Sequence, residues 1–429
     1  MKKLTLTLVS AVVLTSFGWS DTNAEEARFL DVIVKLDVDT ANTAGAHGRE
    51  IAAEVAAQHG IQTRHVYGTV FSGFSARIPE ARFEQLQQDP MVAHIDFDAP
   101  VHIAGGNCPS CGGGGGGGDT GQTVPWGIDR IGSQTNSNTG AGIDIYIIDT
   151  GIDPNHRDLN VVGGFAVENC RGGGCAASWD DDNDHGTHVA GTAAALDNDV
   201  DVVGVAPGAN LYAVKVLSGS GSGSRSGVIA GIDWVTQQAL ANGNAAVANM
   251  SLGGSGSKTG SCSNSGFTGT DTYHEAICNS RNAGVVYAVA AGNSGADAAG
   301  SVPSAFDDTV ITVSATSSGD DWPSWSNWGN DAAAWTSNNS APVGIAAPGV
   351  SVLSTLAGGG TTTFSGTSMA SPHVAGALAL FLASSAQSSN GTAFENARAA
   401  LLSQAEGTGT FSNTSGNPHD EDSLDASGL

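Results

Sequence analysis

Apolar runs separated by helical patterns constrain the fold of this chain more than any other feature of its sequence. Most positions in each run are apolar, without a strict alternation of apolar and polar side chains. The runs lie at 143–148, 211–216, 245–249, 285–290, 310–313 and 343–346. Helical patterns lie between and after them, at 185–195, 227–241, 272–283 and 371–383. Strands that are apolar on both faces and alternate with helices indicate an α/β fold, with a parallel sheet flanked by helices on both faces.

A smaller module precedes these runs. Residues 29–36, 70–78 and 92–97 favour strands, whereas 47–59 and 79–88 favour helices. Two helices interleaved with such strands fit a small α+β ferredoxin-like domain, although one of its usual strands is not evident. Seven consecutive glycines at 112–118 follow, and they predict a flexible, exposed linker.

Composition and the first residues indicate a secreted protein. With 16 Lys+Arg against 42 Asp+Glu, the net charge of −26 argues against nucleic acid or anionic membranes as partners. The basic residues Lys2 and Lys3 and an apolar run at 4–17 are typical of a secretory signal and too short to span a bilayer. No membrane association is expected once the signal is removed.

Secretion makes the six cysteines candidates for disulfides. Local pairing favours Cys108–Cys111, Cys170–Cys175 and Cys262–Cys278, one of about 15 connectivities that six cysteines allow. A metal site at Cys108 and Cys111 is the alternative for the first pair.

The stretch 366–376 presents a serine at the start of an apolar helix. Gly366 permits a sharp turn, and Pro372 is expected in the first helical turn, where its missing N–H has no partner to lose. Ser368 would then face helix N–H groups that stabilise an anion. Such a serine can be a simple helix cap, and it becomes a nucleophile only where a base and an orienting carboxylate exist.

The chain supplies candidates for both partners. Asp149 ends the run 143–148, at the carboxyl end of a predicted strand, where the active sites of such sheets lie. His185 opens the helix 185–195, with His188 one turn further in. Asp149 could instead bind a metal or cap a turn, and either histidine could be structural. The zinc motif H-E-x-x-H is absent, and the order Asp, His, Ser is one of the known orders of a serine-protease triad.

Three blocks, 148–152, 185–192 and 366–376, resemble the subtilisin-like serine proteases nearly residue for residue. The resemblance extends over about 122–405, and the N-terminal module is similar to the inhibitory propeptide of that family. It implies the roles of orienting carboxylate, general base and nucleophile for Asp149, His185 and Ser368, and structural roles for His188 and His373. The block 290–295 is similar to the family's oxyanion block, which implies that the Asn293 amide and the Ser368 N–H bind the developing oxyanion. Asn293 and His185 argue against the related sedolisin family, which has an aspartate at the oxyanion position and a glutamate as the base.

The resemblance also implies where substrate binds. An extended peptide would pair with two exposed backbone edges. The implied edge residues are Ser222, Gly223, Ser224, Ser251, Leu252, Gly253 and Gly254. The implied side-chain pocket is lined by Ala290, Ala291 and Gly292, with Ser301 near its floor. Small uncharged walls predict broad specificity with a preference for apolar or aromatic residues, whereas the edge segments taken alone could be plain surface loops.

A structural Ca²⁺ is the cofactor that the resemblance implies, because the segment 196–202 is similar to the family's calcium loop. The implied oxygen donors are the side chains of Gln122, Asp158 and Asn198 and the carbonyls of Leu196, Val200 and Val202. The acidic run 180–184 could form a second calcium site or a solvated loop.

The sequence predicts five segments along the chain. We expect a signal peptide at 1–24, an inhibitory and chaperone propeptide at 25–105, a linker at 106–121, a catalytic domain at 122–405 and a loosely ordered acidic tail at 406–429. Residues 122–127 resemble the start of the family's mature chain, so maturation is expected within or just after the glycine run.

The predicted function is that of a secreted, monomeric serine endopeptidase, made as a self-processing zymogen. Its partners would be protein or peptide substrates and its own propeptide, an intramolecular inhibitor. The alternatives are a catalytically silent scaffold and a processing protease of narrow specificity.

Overall fold

The N-terminal domain is a four-stranded antiparallel sheet with two helices packed on one face. The computed structural model describes residues 28–38, 45–104, 121–172, 174–329, 343–407 and 411–429. The predicted signal peptide, the glycine run, Cys108 and Cys111 lie outside these ranges. In chain order the elements are β1 (Phe29–Leu36), α1 (Ala46–Gln58), β2 (Thr63–Tyr67), β3 (Gly73–Pro79), α2 (Glu80–Gln87) and β4 (Val92–Phe97).

The strand order of this domain is β2-β3-β1-β4, and its two helices share one apolar core with the sheet. The predicted ferredoxin-like fold is therefore confirmed. Its inconspicuous strand is β2, whose residues Thr63, Arg64 and His65 are polar because the strand lies at the sheet edge. A further short strand, β5 (Pro100–Ile103), leaves this domain and joins a sheet of the larger one.

The larger domain is assembled around a parallel sheet. Its first helices and strands are α3 (Trp126–Arg130), β6 (Asp144–Asp149), β7 (Val161–Ala166), α4 (His185–Ala194), β8 (Asn210–Lys215), β9 (Ser222–Ser224), α5 (Arg225–Asn242), β10 (Ala246–Met250) and β11 (Leu252–Ser255). The next are β12 (Ser261–Ser263), β13 (Gly266–Thr268), α6 (Thr272–Asn282), β14 (Val285–Ala290), β15 (Ser301–Val302) and β16 (Val310–Thr316). The last are β17 (Val343–Pro348), β18 (Val352–Thr355), β19 (Thr361–Phe364), α7 (Thr367–Ser384) and α8 (Thr392–Gln404).

Seven strands form the central sheet in the order β17-β16-β14-β10-β6-β8-β7, and all neighbours are parallel. Both faces are buried, as the apolar runs predict. On β6, Ile145 and Ile147 pack into the core that contains α4, α7 and α8, whereas Tyr146 and Ile148 pack into the core that contains α5 and α6.

The C-terminal residues 411–429 pack on the large domain, so the predicted loose order of the acidic end is wrong for them. Glu421 and His419 are buried and joined at 2.7 Å, and Ser314 Oγ donates to the Glu421 carboxylate. Leu424 enters the core, and its N–H donates to Ala346 O on β17 at 2.8 Å. The acidic composition conceals this packing because the buried carboxylate is hydrogen-bonded within the protein.

Two of the predicted disulfides, Cys170–Cys175 and Cys262–Cys278, are formed. The third predicted pair lies outside the described residues. Among the helices of the described ranges, none is both long and apolar enough to cross a bilayer.

Candidate active site

Asp149 and His185 meet at the carboxyl edge of the parallel sheet. Asp149 is the last residue of β6, and His185 is the first residue of α4. Both are buried, and His185 Nδ1 lies 2.7 Å from Asp149 Oδ1, which also accepts the Thr150 N–H at 2.7 Å. Since an ionised carboxylate only accepts hydrogen bonds, we infer that Nδ1 carries the proton and that Nε2 is the basic nitrogen.

Two carboxylates raise the pKa of His185. Burial by itself lowers this pKa because it disfavours the imidazolium. The charge and hydrogen bond of Asp149 and the charge of Asp181 outweigh burial, so the pKa lies above its ordinary value. A stabilised imidazolium suits a residue that takes a proton during a reaction.

Ser368 lies in the first turn of α7, at the same edge of the sheet. Its Oγ donates to the carbonyl of Ser251, which directly follows β10, at 3.4 Å. β10 is the neighbour of β6, the strand that ends in Asp149. The second acceptor of Ser368 Oγ is the carbonyl oxygen of Ala104, at 3.1 Å. The serine therefore contacts the segment that links the two domains.

Pro372 lies inside α7 and not in its first turn, because the helix already begins at Thr367; this corrects the sequence prediction. A proline has no N–H for the carbonyl four residues earlier, which is that of Ser368. Ser251 Oγ donates to this carbonyl instead, at 2.9 Å. Ser251, a predicted cleft residue, thus fixes the backbone of the candidate nucleophile.

Asn293 is a second donor to the carbonyl of Ala104. Its Nδ2 donates to Ala104 O at 2.7 Å, while its Oδ1 accepts the N–H and the hydroxyl of Thr367, each at 2.9 Å. Ala104 O thus receives hydrogen bonds from Asn293 and Ser368. The two side chains that the sequence assigns to the oxyanion and to nucleophilic attack converge on one peptide carbonyl.

Asn327 is a supporting residue that the sequence analysis missed. Its Oδ1 accepts the N–H groups of Ser294 and Ala296 at 2.9 and 3.1 Å, and its Nδ2 donates to Ala291 O at 2.9 Å. These bonds hold the loop that carries Asn293. No motif marks Asn327, because its role depends on folding and not on spacing along the chain.

The strand β5 lies between the two edges that were predicted to bind substrate. It pairs antiparallel with β9 on one side and with β11 on the other, and the Ala104 N–H donates to Ser251 O at 2.9 Å. Close approach requires Gly254, where a Cβ would lie 2.6 Å from Pro100 O. Val101 is fully buried, whereas His102 is exposed. The chain's own segment is therefore bound as an extended peptide.

The structure distributes the predicted pocket residues over two elements. Ala290 and Ala291 are buried at the end of β14, and the Gly292 N–H donates to Thr367 Oγ1 at 3.0 Å. Ser301 lies on β15, where it pairs with Ser255 of β11 and donates to Gly254 O at 3.2 Å.

Carboxylates bind the N-terminal domain to the helices of the larger one. Asp98 accepts the Ser226 N–H at the start of α5 at 3.0 Å, and Asp96 accepts the Thr272 N–H at the start of α6 at 2.8 Å. In the opposite direction, Asp233 of α5 accepts three consecutive N–H groups of residues 68–70 and pairs with Arg49 at 3.0 Å. Helix N-termini attract carboxylates, so these contacts fix the orientation in which β5 enters the cleft.

The other two histidines of the matching blocks are neutral. Burial lowers the pKa of His188 to about 3 and that of His373 to about 4. His188 Nε2 lies 3.0 Å from Val352 O, and His373 Nδ1 lies 2.8 Å from Met369 O. Hydrogen bonds to carbonyl oxygens in the interior suit structural roles.

Three of the four carboxylates in the acidic run 180–184 are bonded within the protein, so the predicted solvated loop is wrong, whereas a calcium site there stays a prediction. Asp180 and Asp181 are buried, and Asp182 pairs with the buried Lys215 at 2.6 Å. Within the part of the chain that the structure describes, no group of three or more His, Cys, Asp or Glu side chains is arranged to hold a metal ion. The carboxylates of Asp180, Asp181 and Asp182 accept hydrogen bonds from donors of the protein.

Comparison with protein families agrees with this architecture. The model of the subtilase family matches residues 140–422, and that of the peptidase inhibitor I9 family matches residues 31–104. The first match covers the large domain with the candidate site, and the second covers the N-terminal domain and β5.

Individual relatives match both domains together. Subtilisin E from Bacillus subtilis (strain 168) is 35% identical over 388 residues, which cover 89% of this chain and 89% of the relative. The subtilisin-like serine protease AsES from Sarocladium strictum is 38% identical over 393 residues, or 88% of each chain. The crystal structure of a cold adapted subtilisin-like serine proteinase is 37% identical, covers 70% of this chain and 97% of that chain, and superposes with a TM-score of 0.56. The chain therefore belongs to the subtilase family and is a subtilisin-like serine endopeptidase with an N-terminal inhibitor domain of the I9 type.

Proposed function

We propose that this chain is made as a secreted zymogen that cuts away its own N-terminal domain, and that Asp149, His185, Ser368 and Asn293 carry the reaction. One observation supports the proposal most strongly. The carbonyl oxygen of Ala104 accepts hydrogen bonds from Ser368 Oγ at 3.1 Å and from Asn293 Nδ2 at 2.7 Å. A peptide carbonyl thus occupies the position expected for the bond to be cut.

The proposed reaction is peptide hydrolysis in two stages. Ser368 Oγ attacks the carbonyl carbon while His185 Nε2 takes its proton, and the charge that develops on the carbonyl oxygen is stabilised by Asn293 Nδ2 and the Ser368 N–H. The C–N bond then breaks, the departing amine takes the proton from His185, and an acyl-enzyme remains. Water attacks this ester by the same route and releases the carboxylic acid. Asp149 keeps the imidazole oriented throughout.

The contacts of Ala104 support a first cut at the bond between Ala104 and Gly105, ahead of the glycine run. This differs from the maturation site predicted from the sequence, within or just after residues 112–118. The physical reason is that β5, which ends just before Ala104, pairs with both edges of the cleft. We therefore propose a signal peptide at 1–24, the propeptide at 25–104 and a linker at 105–121. The proposed catalytic domain begins at 122 and, unlike the predicted division at 405, includes residues 411–429, which pack on it.

Self-cutting at this bond can be measured directly. We expect the full-length precursor, purified and incubated alone, to yield a first large product that begins with Gly105, because the carbonyl of Ala104 is already held by both donors. Intact-mass spectrometry with N-terminal sequencing over a time course is the measurement. A first product that begins within 112–122, without any species that begins at Gly105, would contradict the proposed site.

The bound strand also suggests the specificity. Val101 is buried against the large domain while His102 is exposed, and Ala104 is small. We propose broad specificity for apolar or aromatic residues, with an aliphatic residue favoured at the position of Val101. Profiling of the mature enzyme on a peptide library tests this proposal, and strict dependence on one residue type would favour the narrow processing protease instead.

A structural Ca²⁺ fits the residues implied by the resemblance. Gln122 Nε2 donates to Leu196 O at 2.8 Å and to Val202 O at 3.4 Å, and Asn198 Nδ2 donates to Asp158 Oδ1 at 2.8 Å. The NH₂ groups of two side-chain amides thus point at a group of oxygens. Rotation of such an amide by about 180° exchanges its NH₂ group and its oxygen, so that the oxygen faces the same space and can bind a cation. We propose that Ca²⁺ binds here, also using the carbonyl of Val200.

Burial supports this assignment of a cation. Asp158 is fully buried, and desolvation raises its pKa to about 6. A buried carboxylate that is costly to ionise gains from a cation, and a hard divalent ion prefers oxygen donors of this kind.

Removal of calcium is expected to lower the stability of the mature enzyme. A ligand that binds only the folded state stabilises it by about 2.7 kcal/mol at about one hundred times its Kd. The effect is measured as the Tm of thermal unfolding with Ca²⁺, with a chelator and with Mg²⁺. The Mg²⁺ sample is a control, because an acidic protein attracts any divalent cation. Asp158→Asn should abolish the Ca²⁺-specific increase in Tm, whereas Asp197→Asn, an exposed residue of the same loop, should retain it. Equal responses of both variants would refute the site.

Secretion and a monomeric state complete the proposal. Disulfides such as Cys170–Cys175 and Cys262–Cys278 persist in oxidising compartments, which supports an extracellular location. All proposed catalytic and cleft residues come from one chain, so a monomer suffices for activity. Mass determination of the protein recovered from culture medium tests both points.

A further inference from the structure

The turn before α4 contains a buried carboxylate that the mechanism above does not use. Asp181 Oδ1 accepts the Thr150 hydroxyl at 2.9 Å and the N–H groups of Asn183 and Asp184 at 3.0 and 3.3 Å. Its Oδ2 accepts the N–H of Thr187 at 2.9 Å and the hydroxyl of the same residue at 2.7 Å. Five donors therefore converge on one side chain.

The donors around Asp181 favour its ionised form. Thr150 Oγ1 accepts the Gly186 N–H at 2.9 Å, and Thr187 Oγ1 accepts the Asp153 N–H at 3.1 Å. Each hydroxyl already accepts a backbone N–H and directs its own hydrogen to the carboxylate. Burial raises the pKa of Asp181, but three of its partners are backbone N–H groups, which can only donate. Hydrogen bonds to the charged form favour that form.

Asp181 joins the two segments that carry the proposed base and its orienting carboxylate. Thr150 directly follows Asp149 and donates its N–H to that carboxylate at 2.7 Å. On the other side, Asp184 directly precedes His185 and has a φ of +86°, in the left-handed region that non-glycine residues rarely adopt. The hydrogen bond from the Asp184 N–H to Asp181 helps to hold this turn. The Asp181 carboxylate thus helps to set the distance between the end of β6 and the start of α4, together with the hydrogen bond from the Gly186 N–H to Thr150 Oγ1.

We propose that Asp181 is a positioning residue of the active site, which fixes His185 relative to Asp149 and favours the imidazolium through its buried negative charge. The inference rests on the proposed function, because it presupposes that His185 is the general base.

Few other charges act on His185. Asp149 lies on β6, and Lys215, on the neighbouring strand β8, is paired with Asp182. His188, on the same helix as His185, is kept neutral by burial, and Asp184 belongs to the turn itself. Asp149 and Asp181 are the two carboxylates whose charges raise the pKa of His185.

The test compares Asp181→Asn with wild type in the full chain after self-maturation. Active sites are counted by fluorophosphonate titration, so that every rate refers to competent enzyme. We expect kcat per active site to fall about 10- to 100-fold with little change in KM, because a misplaced base slows the chemical step more than binding. Activity requires neutral His185 and is lost as the pH falls through its pKa. Removal of a negative charge lowers that pKa, so the acid limb of kcat/KM should move to lower pH by about half a unit.

Two further variants keep the inference testable if Asp181→Asn does not mature. Thr150→Val removes one donor and keeps the shape, and it should lower kcat about tenfold, whereas Thr150→Ser should stay within about twofold of wild type. The matched control is Asp144→Asn, at the opposite end of β6, where the carboxylate contacts Asn210 and Asn242. It removes the same charge and should change neither kcat nor the acid limb.

The outcomes separate this inference from the proposed function. An Asp181→Asn enzyme whose kcat is unchanged, or whose acid limb does not move, overturns the inference; if that variant does not mature, an unchanged kcat in Thr150→Val overturns it. A wild-type chain that the fluorophosphonate does not label refutes the proposed function itself, and the inference about Asp181 with it.

Discussion

Replacement of Ser368 with alanine is expected to leave the chain as a full-length precursor without measurable peptidase activity. One hydroxyl is proposed to cut both the Ala104–Gly105 bond and external substrates, so both activities should disappear together. Loss of the nucleophile lowers kcat by about 10⁶-fold, a magnitude known for subtilisin, a relative, and carried over from it. The measurement is the intact mass of the precursor made in a protease-free host, together with hydrolysis of a chromogenic peptide.

The matched control for this variant is Ser384→Ala. Ser384 is the last residue of the same helix and is exposed, and its Oγ donates to Phe381 O at 3.0 Å. It should mature and hydrolyse peptide like wild type. Normal processing of the Ser368→Ala precursor would show that another enzyme cuts the chain and would refute self-processing.

Asp149→Asn is expected to lower kcat by about 10⁴-fold, the order of magnitude found when the triad aspartate of other serine proteases is changed. The Asp149 charge contributes first among the effects that raise the pKa of His185, and an amide removes it. The buried Oδ2 has no partner among the described residues, so the new NH₂ group would also lack an acceptor there. The loss of the charge disfavours the imidazolium that forms in the reaction, and the unpaired NH₂ group adds a desolvation cost.

The measurement for Asp149→Asn is kcat per fluorophosphonate-labelled site across pH. The acid limb should move to lower pH, because a neutral side chain no longer raises the pKa of His185. Asp144→Asn, on the same strand, again provides the charge-matched control. A loss of less than about tenfold in Asp149→Asn would contradict the proposed role of this carboxylate.

The central sheet was predictable because its apolar runs are continuous, and continuity reports burial on both faces. The strand that this pattern misses is β7, at the edge of the sheet, where Gly163 and Gly164 interrupt the apolar residues and most positions are only half-buried. In the N-terminal domain, β2 is missed for the same reason. Edge strands are less buried, so their sequences carry less of the pattern from which strands are predicted.

The candidate site was predictable where its residues lie in compact motifs, as Asp149, His185 and Ser368 do. The sequence could not reveal that Ala104 fills the cleft. The contact between Ala104 and Ser368 joins residues that are 264 positions apart in the chain. The predicted position of Pro372 was wrong for a similar reason. The helix begins before this proline because Ser251 donates to the carbonyl that the proline leaves without a donor. Likewise, the acidic composition around Asp181 and Glu421 suggested exposure, whereas long-range donors allow both carboxylates to be buried.

The central claim is that Ser368 is the nucleophile of a self-maturing serine endopeptidase. Its most direct test is fluorophosphonate labelling of the matured wild-type chain, with the modified residue identified by peptide mass spectrometry. We expect a phosphonylated Ser368 in the matured enzyme and none in the uncut precursor, where Ser368 Oγ donates to the Ala104 carbonyl. An unlabelled mature chain, or a label on a residue other than Ser368, would contradict it.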